Sequence, residues 1–221
     1  MSSNFQNSEP LIFLHGFLGS KTDWKFLFKY INQTVFAFDL PGHGESEFTP
    51  HFIDDLFAKT VHLSPFHLVG YSMGGRISIQ FAQKFPNRVK KLSLISTHLG
   101  LQTESEKMKR WIKDKDLSKK ILETSIDLFL KSWYDQPLFH SLQQKMDIVN
   151  MRKHQNRAGL AKALLHFSLA HFSFSIPNAH FIIGALDEKY KMLYRDLPHT
   201  TIENAGHAIH LENPKDLAKV L

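Results

Sequence analysis

Gly70-Tyr71-Ser72-Met73-Gly74 is a run that can expose a hydroxyl for chemistry. Gly-x-Ser-x-Gly makes a sharp turn from a strand into a helix and lifts the serine above a sheet. The glycines are needed because the chain is strained and tightly packed there. Here the run follows the apolar "FHLV" and precedes "GGRISIQFAQKF", which supplies the strand–turn–helix context. Ser72 would then sit at a helix N-terminus, where the dipole favours negative charge. The plain alternative, a structural turn with an inert serine, leaves the partner residues below unexplained.

A serine needs a base, and the base needs an orienting acid. In folds with this elbow the chain order is serine, acid, histidine. Asp187 directly follows the apolar "FIIGAL", and His207 lies in "NAGHAIHLENP" near the end of the chain. Glu188 and His210 are their neighbouring alternatives. An oxyanion hole needs preorganised backbone N–H groups. Met73 after the serine and Phe17 in "HGFLG" are placed to supply them. Arg76 is four residues past Ser72 and therefore on the same helical face, leaning back toward the serine. That puts a fixed cation beside a candidate nucleophile. "DLPGHGES" (39–46) reads as an ordinary loop that could shape the pocket rim.

Positioning these residues requires a sheet with helices between its strands. Short apolar runs closed by Gly or Pro predict buried parallel strands at 11–14, 34–40, 66–71, 91–96 and 180–186, with a weaker sixth at 200–205. Helical stretches lie at about 22–31, 52–62, 74–85 and 213–221. This alternation predicts an α/β fold with a mostly parallel sheet and helices on both faces. Residues 100–172 break the rhythm and predict three to five helices instead of a strand. The expected organisation is a core made of 1–99 and 173–221, with 100–172 as a helical cap above the carboxyl ends of the strands, where ligands bind.

Composition limits what else the chain can be. Its 221 residues suffice for one domain with a sizeable core. There is no cysteine, which excludes disulfides, thiolate metal sites and a cysteine nucleophile. The polar start "MSSNFQNSEP" lacks a signal-peptide pattern, and no apolar run is long enough to span a bilayer, so a cytoplasmic protein is expected. The net charge is +6, yet the basic residues form no dense block and no nucleic-acid motif. A solubilising surface, or a site for an anionic small molecule, fits the charge better than nucleic acid does. No metal site is expected.

The motifs "FLHGF", "DLPGHG", "GYSMGG", "GALD" and "NAGHAIHLENP", in that order, resemble the α/β-hydrolase superfamily along nearly the whole chain. Only ten residues precede the first strand, so the leading β-hairpin of that superfamily is expected to be absent or reduced. A narrower resemblance rests on "GYSMGGR", "GLQTESEKMKR", "WYDQPLF" and "MRKHQN". These look like the menaquinone-biosynthesis synthases that make 2-succinyl-6-hydroxy-2,4-cyclohexadiene-1-carboxylate. The resemblance implies a lyase that eliminates pyruvate, with no cofactor, because the substrate's own carbonyl is the electron sink. It also implies a substrate with three carboxylates. Arg76, Arg110 and Arg152 match substrate-binding arginines, and Tyr71, Trp133 and Tyr134 match aromatic residues of the pocket. Lys107, Lys109 and Lys153 stand close to the latter two arginines as alternatives. Guanidinium forks suit carboxylates, which they bind in a bidentate way. The rival expectation is a carboxylesterase, such as one that demethylates a pimeloyl ester on acyl carrier protein.

Overall fold

The computed structural model of the chain describes residues 9–173 and 175–221. The expectation about a leading hairpin falls mainly on residues 1–8, outside the described residues. Among the described residues six strands form one wholly parallel sheet: β1 (Leu11–Leu14), β2 (Val35–Phe38), β3 (Phe66–Tyr71), β4 (Val89–Ile95), β5 (His180–Gly184) and β6 (His199–Ile202), in the order β2-β1-β3-β4-β5-β6. The chain steps from β1 out to β2 and then crosses back to β3. This reversal opens a crevice at the carboxyl ends of β1 and β3, where open α/β sheets bind ligands.

Strand side chains alternate between faces, and the core divides accordingly. Leu11 and Phe13 of β1 pack on one side with Val69 and Tyr71 of β3. Ile12 and Leu14 pack on the other with Phe66 and Leu68. Helices α1 (Lys25–Phe28), α10 (Ile209–Glu212) and α11 (Pro214–Ala218) are in mutual contact. Helices α2 (Phe52–Thr60), α3 (Met73–Lys84) and α9 (Glu188–Tyr194) bury Leu56, Ile77 and Tyr194 in the second cluster.

Between β4 and β5 lie α4 (Glu104–Glu123), α5 (Ile126–Tyr134), α6 (His140–Gln143), α7 (Ile148–Arg152) and α8 (Arg157–His166). Helix α4 begins at Thr103, whose hydroxyl accepts from the Glu106 amide while the Glu106 carboxylate accepts from the Thr103 amide. That reciprocal cap satisfies donors that a helix start leaves free. A single parallel bridge between Leu101 and Ser173 closes the neck of the helical segment. At its seam with the sheet, Gly42 (φ +75°) and Gly159 meet backbone to backbone. A Cβ on Gly42 would lie 2.3 Å from the Gly159 carbonyl oxygen.

Some elements are shorter than the sequence predicts. The helix expected over 22–31 is a 3-10 turn, Lys21–Trp24, followed by four α-helical residues. The Tyr30 and Ile31 amides bond three residues back, tightening the chain so that it can turn into β2. The strand expected over 34–40 stops at Phe38, because Leu40 turns its amide to His15. The strand expected over 200–205 stops at Ile202, and Asn204 adopts φ +56° two residues on.

Candidate active site

Ser72 sits between β3 and α3 at φ +51°, a left-handed conformation rarely adopted by non-glycine residues. The strain is held by close packing. A Cβ on Gly74 would lie 2.4 Å from the carbonyl oxygens of both Leu14 and His15, so the elbow presses directly on the end of β1. Met73 is the first residue of α3, and a first helical amide has no partner within its helix. Phe17 follows β1 and packs edge-on against His43 at 5.6 Å and Trp133 at 5.2 Å. His43 belongs to the 39–46 loop, is fully buried, and also meets the His15 ring at 5.3 Å. His15 Nδ1 donates to Gly16 O at 2.8 Å and Nε2 accepts from Leu40 N at 2.9 Å, which ties the loops after β1 and β2 together.

His207 and Asp187 come to Ser72 from the carboxyl ends of other strands. His207 Nδ1 donates to Asp187 Oδ2 at 2.8 Å, and Nε2 faces Ser72 Oγ at 3.4 Å. The carboxylate only accepts, so it fixes the tautomer that leaves Nε2 free to take the serine proton. Asp187 Oδ1 accepts from the Tyr190 amide at 3.2 Å, capping α9 and fixing the carboxylate's orientation. The rings of Tyr190 (4.9 Å), Tyr71 (5.3 Å) and Phe139 (5.8 Å) wall the imidazole. The neighbouring alternatives lie elsewhere. Glu188 is exposed and pairs with Lys191 at 2.8 Å. His210 is buried between Trp24 and Tyr71 with neither ring nitrogen hydrogen-bonded, and burial holds its pKa down to about 3.

A cavity of about 140 Å³ opens above Ser72 and His207, with Phe17, Tyr71, Trp133 and Tyr134 on its walls. Arg76, Arg110 and Arg152 all line it, but in different states. Arg76 is 6% exposed. Its Nη2 donates to Phe167 O at 2.9 Å, Nε has no partner, and the Phe172 ring lies 5.4 Å from the guanidinium. Burial and then Arg110 pull its pKa down to about 10, so it stays charged at neutral pH. Arg110 Nε meets both carboxylate oxygens of the buried Asp114 at 2.8 Å, and Ser168 Oγ donates to the same carboxylate at 2.7 Å. Arg152 is 4% exposed and its two terminal nitrogens meet Asp23 at 2.5 and 2.6 Å. Burial opposes both charges of that pair. The attraction outweighs it, holding Asp23 below the usual carboxylate range and raising Arg152. The resemblance implied three guanidiniums offered to substrate. In the structure one of them, Arg152, has its fork filled by a protein carboxylate, and Arg110 is tied through Nε.

Sequence reasoning passed over several cavity residues. His98 follows β4 and lines the cavity. Its Nδ1 accepts from Gly100 N at 3.3 Å, and burial followed by Arg76 lowers its pKa to about 4. Position at the end of a parallel strand could have singled it out. Lys189 and Tyr190, just past Asp187, also line the cavity. Asp23 had no local signal, whereas Asp114 stands four residues past Arg110, the spacing of an ion pair on one helical face. Lys107 pairs with Glu104 at 2.8 Å, whereas Lys109 and Lys153 are exposed.

A parallel sheet with a strained serine elbow at its switch point, topped by helices, defines the α/β-hydrolase class. Comparison with known proteins agrees: a family model described as the alpha/beta hydrolase fold matches residues 9–175. A putative 2-succinyl-6-hydroxy-2,4-cyclohexadiene-1-carboxylate synthase of Bacillus subtilis is 31% identical over 97% of this chain and 89% of that protein. One from Haemophilus influenzae is 32% identical over 95% of this chain and 94% of that protein. The solved structure of MenH from S. aureus superposes with a TM-score of 0.85 at 25% identity, covering 100% of this chain and 94% of that one. An esterase from Thermogutta terrifontis, at 22% identity and a TM-score of 0.79, shares the fold. The chain belongs to the α/β-hydrolase fold family and, within it, to the 2-succinyl-6-hydroxy-2,4-cyclohexadiene-1-carboxylate synthases. Among the described residues no helix is long and apolar enough to cross a membrane.

Proposed function

We propose that this enzyme eliminates pyruvate from 2-succinyl-5-enolpyruvyl-6-hydroxy-3-cyclohexene-1-carboxylate, giving 2-succinyl-6-hydroxy-2,4-cyclohexadiene-1-carboxylate in menaquinone biosynthesis. The observation that carries this reading beyond the family is Arg76. It is a buried guanidinium one helical turn past Ser72, and among the described residues it has no carboxylate of its own and its Nε is unpartnered. An ester-hydrolysing site has no need of that charge. A substrate with three carboxylates does.

In the proposed reaction His207, oriented by Asp187, takes the Ser72 proton. Ser72 Oγ then removes the ring proton next to the succinyl ketone. The electron pair moves into the ketone, whose oxygen receives the Phe17 and Met73 amides. As the enolate collapses, the ring double bond shifts and the ring carbon–oxygen bond to the enolpyruvyl group breaks. The leaving enolpyruvate takes up a proton as pyruvate. No covalent acyl-enzyme forms. The cations fix the substrate's carboxylates so that the acidic C–H meets the serine.

The test is pyruvate release from the enolpyruvyl ether, with p-nitrophenyl esters run in parallel. Pyruvate release with weak ester turnover is expected. Ester turnover without pyruvate would overturn the elimination and favour a carboxylesterase, such as one acting on a pimeloyl ester of acyl carrier protein.

A further inference from the structure

The cavity is lined by five cationic side chains from four helices: Arg76 on α3, Arg110 and Lys113 on α4, Arg152 on α7 and Lys189 on α9. Their charges are not equally available. Arg152 is neutralised by Asp23, and Arg110 is tied to Asp114. Among the described residues, no carboxylate oxygen lies within 4.0 Å of the charged nitrogens of Arg76 or Lys189. The nearest carboxylates in sequence to Lys189 are already engaged. Glu188 holds Lys191 at 2.8 Å, and the two oxygens of Asp187 serve His207 and the Tyr190 amide.

Lys189 stands at the mouth of the cavity and remains accessible to solvent. Its Nζ lies 5.8 Å from the centre of the Tyr190 ring, and that ring walls His207. Crowding by surrounding protein lowers its pKa. Arg110, Lys113 and Arg76 push the same way, and Asp187 opposes them. Cations from separate helices therefore feel one another across the cavity, and a ligand anion relieves that repulsion.

We propose that Lys189 is a carboxylate-positioning residue, which with Arg76 forms the stretch of cavity wall whose positive charge is left for a ligand. This rests on the elimination reading above and deepens it. The substrate's carboxylates gather on the α3–α9 side, beside Ser72, with Lys113 adding charge from the rim. Arg152 presents only what Asp23 leaves of it and chiefly holds the helical segment in place.

The test compares Lys189→Met and Lys189→Arg with the wild type, after unfolding midpoints show that each variant is folded. In pyruvate release, Lys189→Met should raise KM roughly tenfold with kcat nearly unchanged, the loss expected for one charge-assisted hydrogen bond. Lys189→Arg should recover most of it. A merely structural lysine would not give that split or that rescue. Calorimetric binding of propane-1,2,3-tricarboxylate provides a second readout, with Lys189→Met again expected to bind roughly tenfold more weakly. Unchanged KM and unchanged probe affinity in Lys189→Met would overturn the role of Lys189 and leave the elimination standing. A wild type that binds the probe through Lys189 but releases no pyruvate would overturn the elimination and leave the carboxylate site. A wild type that fails to bind the probe would overturn the site.

Discussion

Ser72 and Arg152 face the same cavity, yet different forces hold them there. Ser72 is placed by backbone: a strand end, a positive φ, and a glycine pressed against β1. His207 and Asp187 likewise follow strand ends and meet through a 2.8 Å hydrogen bond. Arg152 and Arg110 are placed by side chains, each gripping a buried carboxylate. The sheet thus holds the candidate reacting groups on a frame that cannot shift without breaking its ladder. The helical segment supplies charge on helices, one of which is docked to the sheet half by the Arg152–Asp23 ion pair. This teaches that an arginine lining a pocket is not automatically an anion site. Arg152 has its fork filled by Asp23 at 2.5 and 2.6 Å, whereas among the described residues no carboxylate lies within 4.0 Å of the charged nitrogens of Arg76 or Lys189.

Variants can separate the two halves. Ser72→Ala should lower pyruvate release by roughly 10⁴-fold or more, by analogy with the loss of a triad serine, and leave the denaturation midpoint nearly unchanged. Substantial residual turnover would mean that the sheet half does not supply the base. Asp23→Ala should do the reverse in kind. It leaves Arg152 buried without its carboxylate and should cost about 3–5 kcal/mol of stability in urea unfolding. A midpoint close to wild type would show that this pair does not hold the helical segment.

Acid should weaken the sheet half first. Burial holds the pKa of His43 and of His210 down to about 3, whereas an unfolded chain protonates histidine near 6.5. The unfolded state therefore binds protons first as pH falls. Stability is complete above pH 6.5 and declines from there toward pH 3, by up to about 1.4 kcal/mol per pH unit for each histidine. Asp23 has a depressed pKa, so its contribution persists down to the usual carboxylate range and is lost only below it. Urea midpoints at pH 7 and pH 5 check this. Equal midpoints would mean that the buried histidines accept protons without penalty. The smallest effect belongs to Thr103→Ala, which removes the side-chain cap of α4. It should cost about 1 kcal/mol in stability and barely move kcat. A large fall in kcat would show that the start of α4 reaches into the chemistry.

Legibility in the sequence follows the same division. The elbow, the acid after "FIIGAL" and the histidine in "NAGHAIHLENP" were readable because each follows a run expected to be a strand, and parallel strands bring such ends to one edge. Lys189 and Tyr190 lie within three residues of Asp187 but carry no motif of their own. The helical spacing of Arg110 and Asp114 was readable, but the distant partners were not. Asp23 lies 129 residues from Arg152, and Ser168 lies 54 from Asp114, with no periodicity linking either pair.

What the sequence alone determined is local: which residues end strands, where the chain must turn, and that a cation follows the serine by one helical turn. Those depend on hydrophobic periodicity and backbone sterics, which act over a few residues. Which cations remain free for a ligand was decided only by the tertiary structure. Electrostatic pairing depends on distance in space, and folding alone sets Asp23 against Arg152 while leaving Arg76 and Lys189 without a carboxylate among the described residues.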